Sequence, residues 1–97
     1  MIIRLNMDNI ILEIGKTYES KTGRLIKITE GYPPINGKRD GWNGVYWGSS
    51  VDDKTPKINN QRYTFEGIWW DYISQFSSFG YKELSNPNNN LIKEINI

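Results

Sequence analysis

The fold class predicted by this sequence is all-β (mostly): a small SH3-like barrel or roll, with OB-like as the nearest alternative, of five to seven short strands and one helical turn. Three observations predict it. The 97 residues include no Ala, the best helix former, while Ile, Asn, Gly, Thr and Tyr are plentiful. Apolar and polar residues alternate over short runs, the period of a half-buried strand. Gly, Asn and Pro cut those runs at close intervals, as turns do.

Taken in chain order, residues 1–9 alternate Met1, Ile3, Leu5 and Met7 with Ile2, Arg4, Asn6 and Asp8, which predicts an edge strand. Lys16-Thr17-Tyr18-Glu19-Ser20 and the run from Arg24 to Glu30 flank Lys21-Thr22-Gly23, and together they read as a β-hairpin with Gly at a positive-φ position. In its second arm Arg24, Ile26 and Ile28 share one face and Leu25, Lys27 and Thr29 the other. Residues 31–41 read as a loop, because Pro33-Pro34 cannot donate to a ladder and Asn36-Gly37 is a turn signal. Asn43-Gly44 then opens the strand from Val45 to Ser50, which ends in a solvated loop around Asp52, Asp53, Lys54 and Pro56. Arg62 to Phe65 and Ile68 to Ser74 form a second hairpin about Glu66-Gly67. The stretch from Ser74 to Leu84 is read as a loop with one helical turn, then a short strand from Tyr81. The chain is therefore one domain: an N-terminal strand over 1–9, a barrel core over 10–84, a flexible Asn/Pro spacer over 85–90 and a C-terminal strand over 91–97.

Composition excludes much chemistry. Without Cys there is no disulfide, thiolate metal site or thiol nucleophile, and without His the commonest general base and metal ligand are missing. No Gly-rich phosphate cradle is present, and neither the Ser pairs nor the carboxylates have a base at a catalytic spacing. The expectation is a non-enzymatic protein with no cofactor and no metal. A net charge of +1 argues against an extended nucleic acid as partner, since a polyanion groove carries a basic surplus. The apolar start is interrupted by Arg4, Asn6, Asp8, Asn9 and Glu13, so it is read as neither membrane span nor export signal, and a cytoplasmic protein is expected.

What remains is aromatic. Of thirteen aromatic residues, eleven lie between Trp42 and Tyr81. Tyr46-Trp47 and Trp69-Trp70 are adjacent pairs, and neighbours on a strand point to opposite faces, so one member of each pair must leave the core. Outward rings next to cations would form a binding surface for stacking and charge pairing, with Lys38, Arg39, Lys57 and Arg62 as the cations. The candidate ligand- or partner-binding residues are Lys38, Arg39, Trp42, Asn43, Tyr46, Trp47, Arg62, Trp69 and Trp70.

Two resemblances give these residues a setting. Ile14-Gly15-Lys16-Thr17-Tyr18, Thr22-Gly23-Arg24 through Ile28, Tyr63-Thr64 with Glu66-Gly67, and Lys82-Glu83-Leu84 follow an order that resembles a group of small bacteriophage and prophage proteins. The similarity spans about residues 12 to 84 and departs at Glu83-Leu84-Ser85, where the group has an Asp-Leu-Val. It implies a phage-encoded SH3-like roll and no catalytic residues. Separately, Arg39-Asp40-Gly41-Trp42-Asn43-Gly44 is similar to a stretch of the phage Thoeris anti-defence family, oligomeric β-rich sponges for a nucleotide-derived signal. The chain lacks the helix that precedes the motif there, and the resemblance implicates only Arg39, Trp42 and Asn43. The functional expectation is a phage-encoded inhibitor of a host defence system, a homo-oligomer acting in the host cytoplasm. It would sequester a nucleotide-like small molecule or occlude a host protein. The alternatives are a structural or regulatory phage protein, or a module for single-stranded nucleic acid or carbohydrate.

Overall fold

A computed structural model describes residues 10–74 and 81–96, the side chains of 72–74 and 81–83 excepted. The N-terminal strand expected over 1–9 and the helical turn expected between Ser74 and Tyr81 fall largely outside the described residues. Within them the chain is almost wholly β. Strands β1 (Thr17–Ser20), β2 (Leu25–Gly31), β3 (Val45–Ser50), β4 (Gln61–Thr64), β5 (Trp69–Ser74), β6 (Tyr81–Ser85) and β7 (Leu91–Ile95) form one sheet in the order β6-β5-β4-β3-β2-β1-β7. Every neighbouring pair is antiparallel.

The sheet curls into a half-barrel because β7, at its far end, returns to the β4–β5 turn. The Leu91 amide donates to the Gly67 carbonyl (2.8 Å), and the Trp69 amide donates to Asn90 Oδ1 (2.9 Å). On the same side the Leu12 amide reaches the Phe65 carbonyl at 2.9 Å. Inside the curl lie Leu12, Tyr18, Ile26, Ile28, Tyr46, Tyr63, Phe65 and Leu91. Ile26 and Ile28 are wholly buried while Lys27 and Thr29 are exposed, as the alternation in β2 predicts. A bulge after Ile28 then sets two residues of β2 against one of β3, so that Gly31 rather than Glu30 faces Tyr46 on the inner side. A Cβ at Gly31 would collide with the Tyr46 ring, so only Gly lets that ring lie against the strand.

Two parts of the chain differ from expectation. Residues 85–90 are not a loose spacer: Asn86 caps a 3-10 turn at Pro87–Asn89 by accepting from the Asn88 amide, and Asn90 braces β5. The loop around Asp52 is not merely solvated either. The Asp52 carboxylate takes a two-pronged bond from Arg24 (3.0 and 3.1 Å) and the amides of Leu25 (2.8 Å) and Lys54 (3.0 Å). Its side chain is only 8% exposed. Arg24, followed by those amides, holds this carboxyl well below the usual carboxylate range. An Asp-Asp pair in a polar run gives no sign of this, because the partner of Asp52 stands 28 positions earlier.

Candidate functional site: a cation–aromatic ladder on the outer face

The connection from β2 to β3 builds the site. It contains two tight two-residue hairpins. Ile35 and Lys38 exchange backbone bonds of 3.0 Å around Asn36-Gly37, both at positive φ as a type I′ turn requires. Asp40 and Asn43 exchange bonds of 2.9 Å around Gly41-Trp42. The centre of that second turn is therefore Gly41-Trp42, and Asn43-Gly44 closes it. Gly41 at φ +62° supplies the positive-φ first corner and leaves Trp42 to project from the tip. Gly44, at φ +89°, bonds back to the Tyr32 carbonyl (2.8 Å), and the Tyr32 amide to the Val45 carbonyl (3.0 Å). Those bonds carry the β2–β3 pairing into the loop, and the contacts of Tyr32 and Trp42 with Trp47 set the loop against the outer face of β3.

Across the sheet Trp47 of β3 stands opposite Arg62 of β4, and Arg62 opposite Trp70 of β5. One row on the outer face is thus Trp47–Arg62–Trp70. The inner row beside it is Tyr46–Tyr63–Trp69, one residue out of step on each strand. The adjacent aromatic pairs split between faces as strand geometry demands.

The loop adds Tyr32, Arg39 and Trp42 to the outer row. The Trp42 and Trp47 rings lie 5.9 Å apart at 36°, and Tyr32 meets Trp47 edge-on at 6.1 Å. The Arg62 guanidinium sits 5.1 Å from the Trp70 ring centre and 6.0 Å from that of Trp42. Arg39 also lies over the Trp70 ring, 4.6 Å from its centre. Arg62 is steadied by Asp71 at 3.0 Å. Four rings and two guanidinium groups therefore form one continuous run, Tyr32–Trp47–Trp42–Arg62–Trp70–Arg39, with each cation against a negative π face. Exposure is uneven along it. Trp70 is 4% exposed beneath the two arginines, whereas Trp42 and Tyr32 are each 54% exposed. A notch of about 350 Å³ lies between Arg39, Trp42 and Trp70.

Of the residues expected at the site, Arg39, Trp42, Trp47, Arg62 and Trp70 come together on this face. Lys38 closes the first turn and lines a neighbouring hollow with Arg39. Asn43 serves the second turn, its side-chain amide donating to the Asp40 carbonyl at 3.2 Å. Tyr46 belongs to the core. Trp69 packs against that core on the opposite face, its indole N–H donating to Gln61 Oε1 at 2.9 Å. Tyr32 and Asp71 belong to the ladder although nothing in the local sequence marks them. Tyr32 would have needed its pairing to Val45 to be found, and Asp71 its contact with Arg62.

The phenols of Tyr18, Tyr46 and Tyr63 are pushed up by burial, so they stay neutral at ordinary pH. Among the described residues no cluster of three or more Asp or Glu side chains is placed to hold a metal ion, and no helix is long and apolar enough to cross a membrane. No protein-family model, no curated protein and no solved structure matches this chain.

Proposed function

We propose that this chain is a non-enzymatic binding protein that works by occluding a protein partner, with the outer face of β3–β5 and the 31–44 loop as its contact surface. The observation that carries the reading is the half-exposed aromatic group of Trp42 and Tyr32 packed on Trp47 and backed by Arg62. Trp, Tyr and Arg are the residues in which interface energy concentrates. An exposed ring cluster held rigidly by its neighbours loses little entropy on binding. A protein partner suits this face better than a nucleotide, because Trp70, with Arg39 and Arg62 against its ring, is only 4% exposed and offers no open face for a base to stack on. The biological setting comes from the resemblance to phage proteins, and it makes a component of host defence, in the host cytoplasm, the proposed target.

The test is expression of the chain in bacteria carrying individual defence systems, with phage plating efficiency as the readout. Wild type should restore plating against one system, and Trp42→Ala should lose that effect while keeping its melting temperature. Equal restoration by Trp42→Ala, or no restoration against any system, would overturn the reading.

A further inference from the structure

The inner side of the half-barrel carries a second site. Between the β1–β2 turn, the 56–59 segment and the start of β5 lies a cavity of about 380 Å³, within the range of small-molecule pockets. Its floor is Ile26 and Tyr63, both almost fully buried, and Trp69 forms one wall. Trp69 is fixed twice, by its backbone N–H on Asn90 Oδ1 and by its indole N–H on Gln61 Oε1. A wall held in advance need not be ordered when a ligand arrives. The rim carries the amides of Asn59 and Asn89, which can read a ring edge.

Charge sets the ligand class. Among the described residues Lys57 and Arg24 line the cavity and no carboxylate does, and since Arg24 is neutralised by Asp52, Lys57 supplies the charge. The nearby Asp52 carboxylate does not line the cavity and is taken up by Arg24 and two backbone amides. Among the described residues Lys57 reaches only the Asp52 carbonyl, through Nζ at 3.1 Å, so an arriving anion can compete for it. We propose that this concave cavity binds a small planar ring bearing one anionic group, the ring against Trp69 and the anion toward Lys57. The site faces away from the ladder and is independent of its function.

Titration of isotope-labelled full chain with adenosine monophosphate, adenosine and indole-3-acetate, followed by amide shifts and calorimetry, tests this. At least one of the two anions should shift the amides of Lys57, Asn59, Gln61 and Trp69, and adenosine should bind about tenfold more weakly than its monophosphate if the anion is phosphate. Monophosphate alone would identify phosphate as the anion recognised, and indole-3-acetate alone a carboxylate. Lys57→Ala, an exposed loop change that leaves the fold intact, should weaken the binding anion by a similar factor. No binding by either anion at millimolar concentration would overturn the proposal. So would affinity unchanged in Lys57→Ala, or shifts confined to Tyr32, Trp42 and Trp47.

Discussion

Trp42 and Trp70 carry the same side chain and share one guanidinium, Arg62, yet their energetic roles are opposite. Trp70 is on the outer face by register but buried by its cover of arginines, so Trp70→Ala should cost about 3–5 kcal/mol. Trp42, at the tip of a turn, keeps half its surface in water, and Trp42→Ala should cost less than about 1 kcal/mol. Urea midpoints of the two variants check both. Gly23 and Gly44 give a second contrast. Both have positive φ, so Val at either is strained by about 1–3 kcal/mol. At Gly44 a Cβ would also meet the Arg39 Cα at 3.0 Å and the Phe65 ring at 3.1 Å, whereas at Gly23 it meets only side-chain ends at 3.6 and 3.9 Å. Gly44→Val should therefore melt lower than Gly23→Val. Equal melting temperatures would mean that the 31–44 loop is not packed as described.

At the scale of elements, the Arg24–Asp52 pair ties the β1–β2 turn to the loop after β3. Arg24 also donates to the carbonyls of Lys54 and Pro56, so one side chain organises the whole 52–56 segment. Asp52→Asn should loosen that loop and lower the melting temperature at neutral pH. The sign of the pH dependence follows from the folded-state pKa lying below the unfolded one. The stabilisation is fully present above the unfolded carboxyl value, near pH 4, and is lost progressively as pH falls below it. Wild type and Asp52→Asn should accordingly differ most in urea stability near pH 7 and converge as the solution is acidified below about pH 4. A gap that stayed constant down to pH 2 would refute the anchor.

For the molecule as a whole, the last strand closes the fold. Leu91 is 3% exposed in the core, and β7 is the only described neighbour of β1 besides β2. A chain ending at residue 89 would lose both the core side chain and the brace on Trp69, and it should no longer unfold cooperatively in a thermal scan followed by circular dichroism. The two ends of the sheet order, β6 and β7, are edge strands among the described residues. Such edges invite pairing with a second copy, which is the proposed route to a homo-oligomer. Light scattering at tens of micromolar should give a mass above that of one chain, and a clean monomer would remove that proposal.

The β class, the hairpin at Gly23, the β4–β5 hairpin and the splitting of Tyr46 from Trp47 and of Trp69 from Trp70 are legible in the sequence. Each depends on local rules: the period of two, the missing Ala, and Gly or Asn where φ must be positive. Which member of each pair faces the core is not legible, because that depends on how β3 pairs with β2 and β5 with β4 around the core. The same holds for the site. Local pattern marks Trp42, Trp47, Arg62 and Trp70 as candidates, but only the folded loop puts Tyr32 and Trp42 against Trp47 and lays Arg39 over Trp70. Asp52 and Asn90 look like ordinary loop residues until Arg24 and the Trp69 amide reach them from distant strands. The sequence by itself determined the strands and their alternation, since those are set by each residue and its chain neighbours. Tertiary structure alone decided which aromatic rings are buried, covered or offered to a partner, since burial depends on side chains brought together from far along the chain.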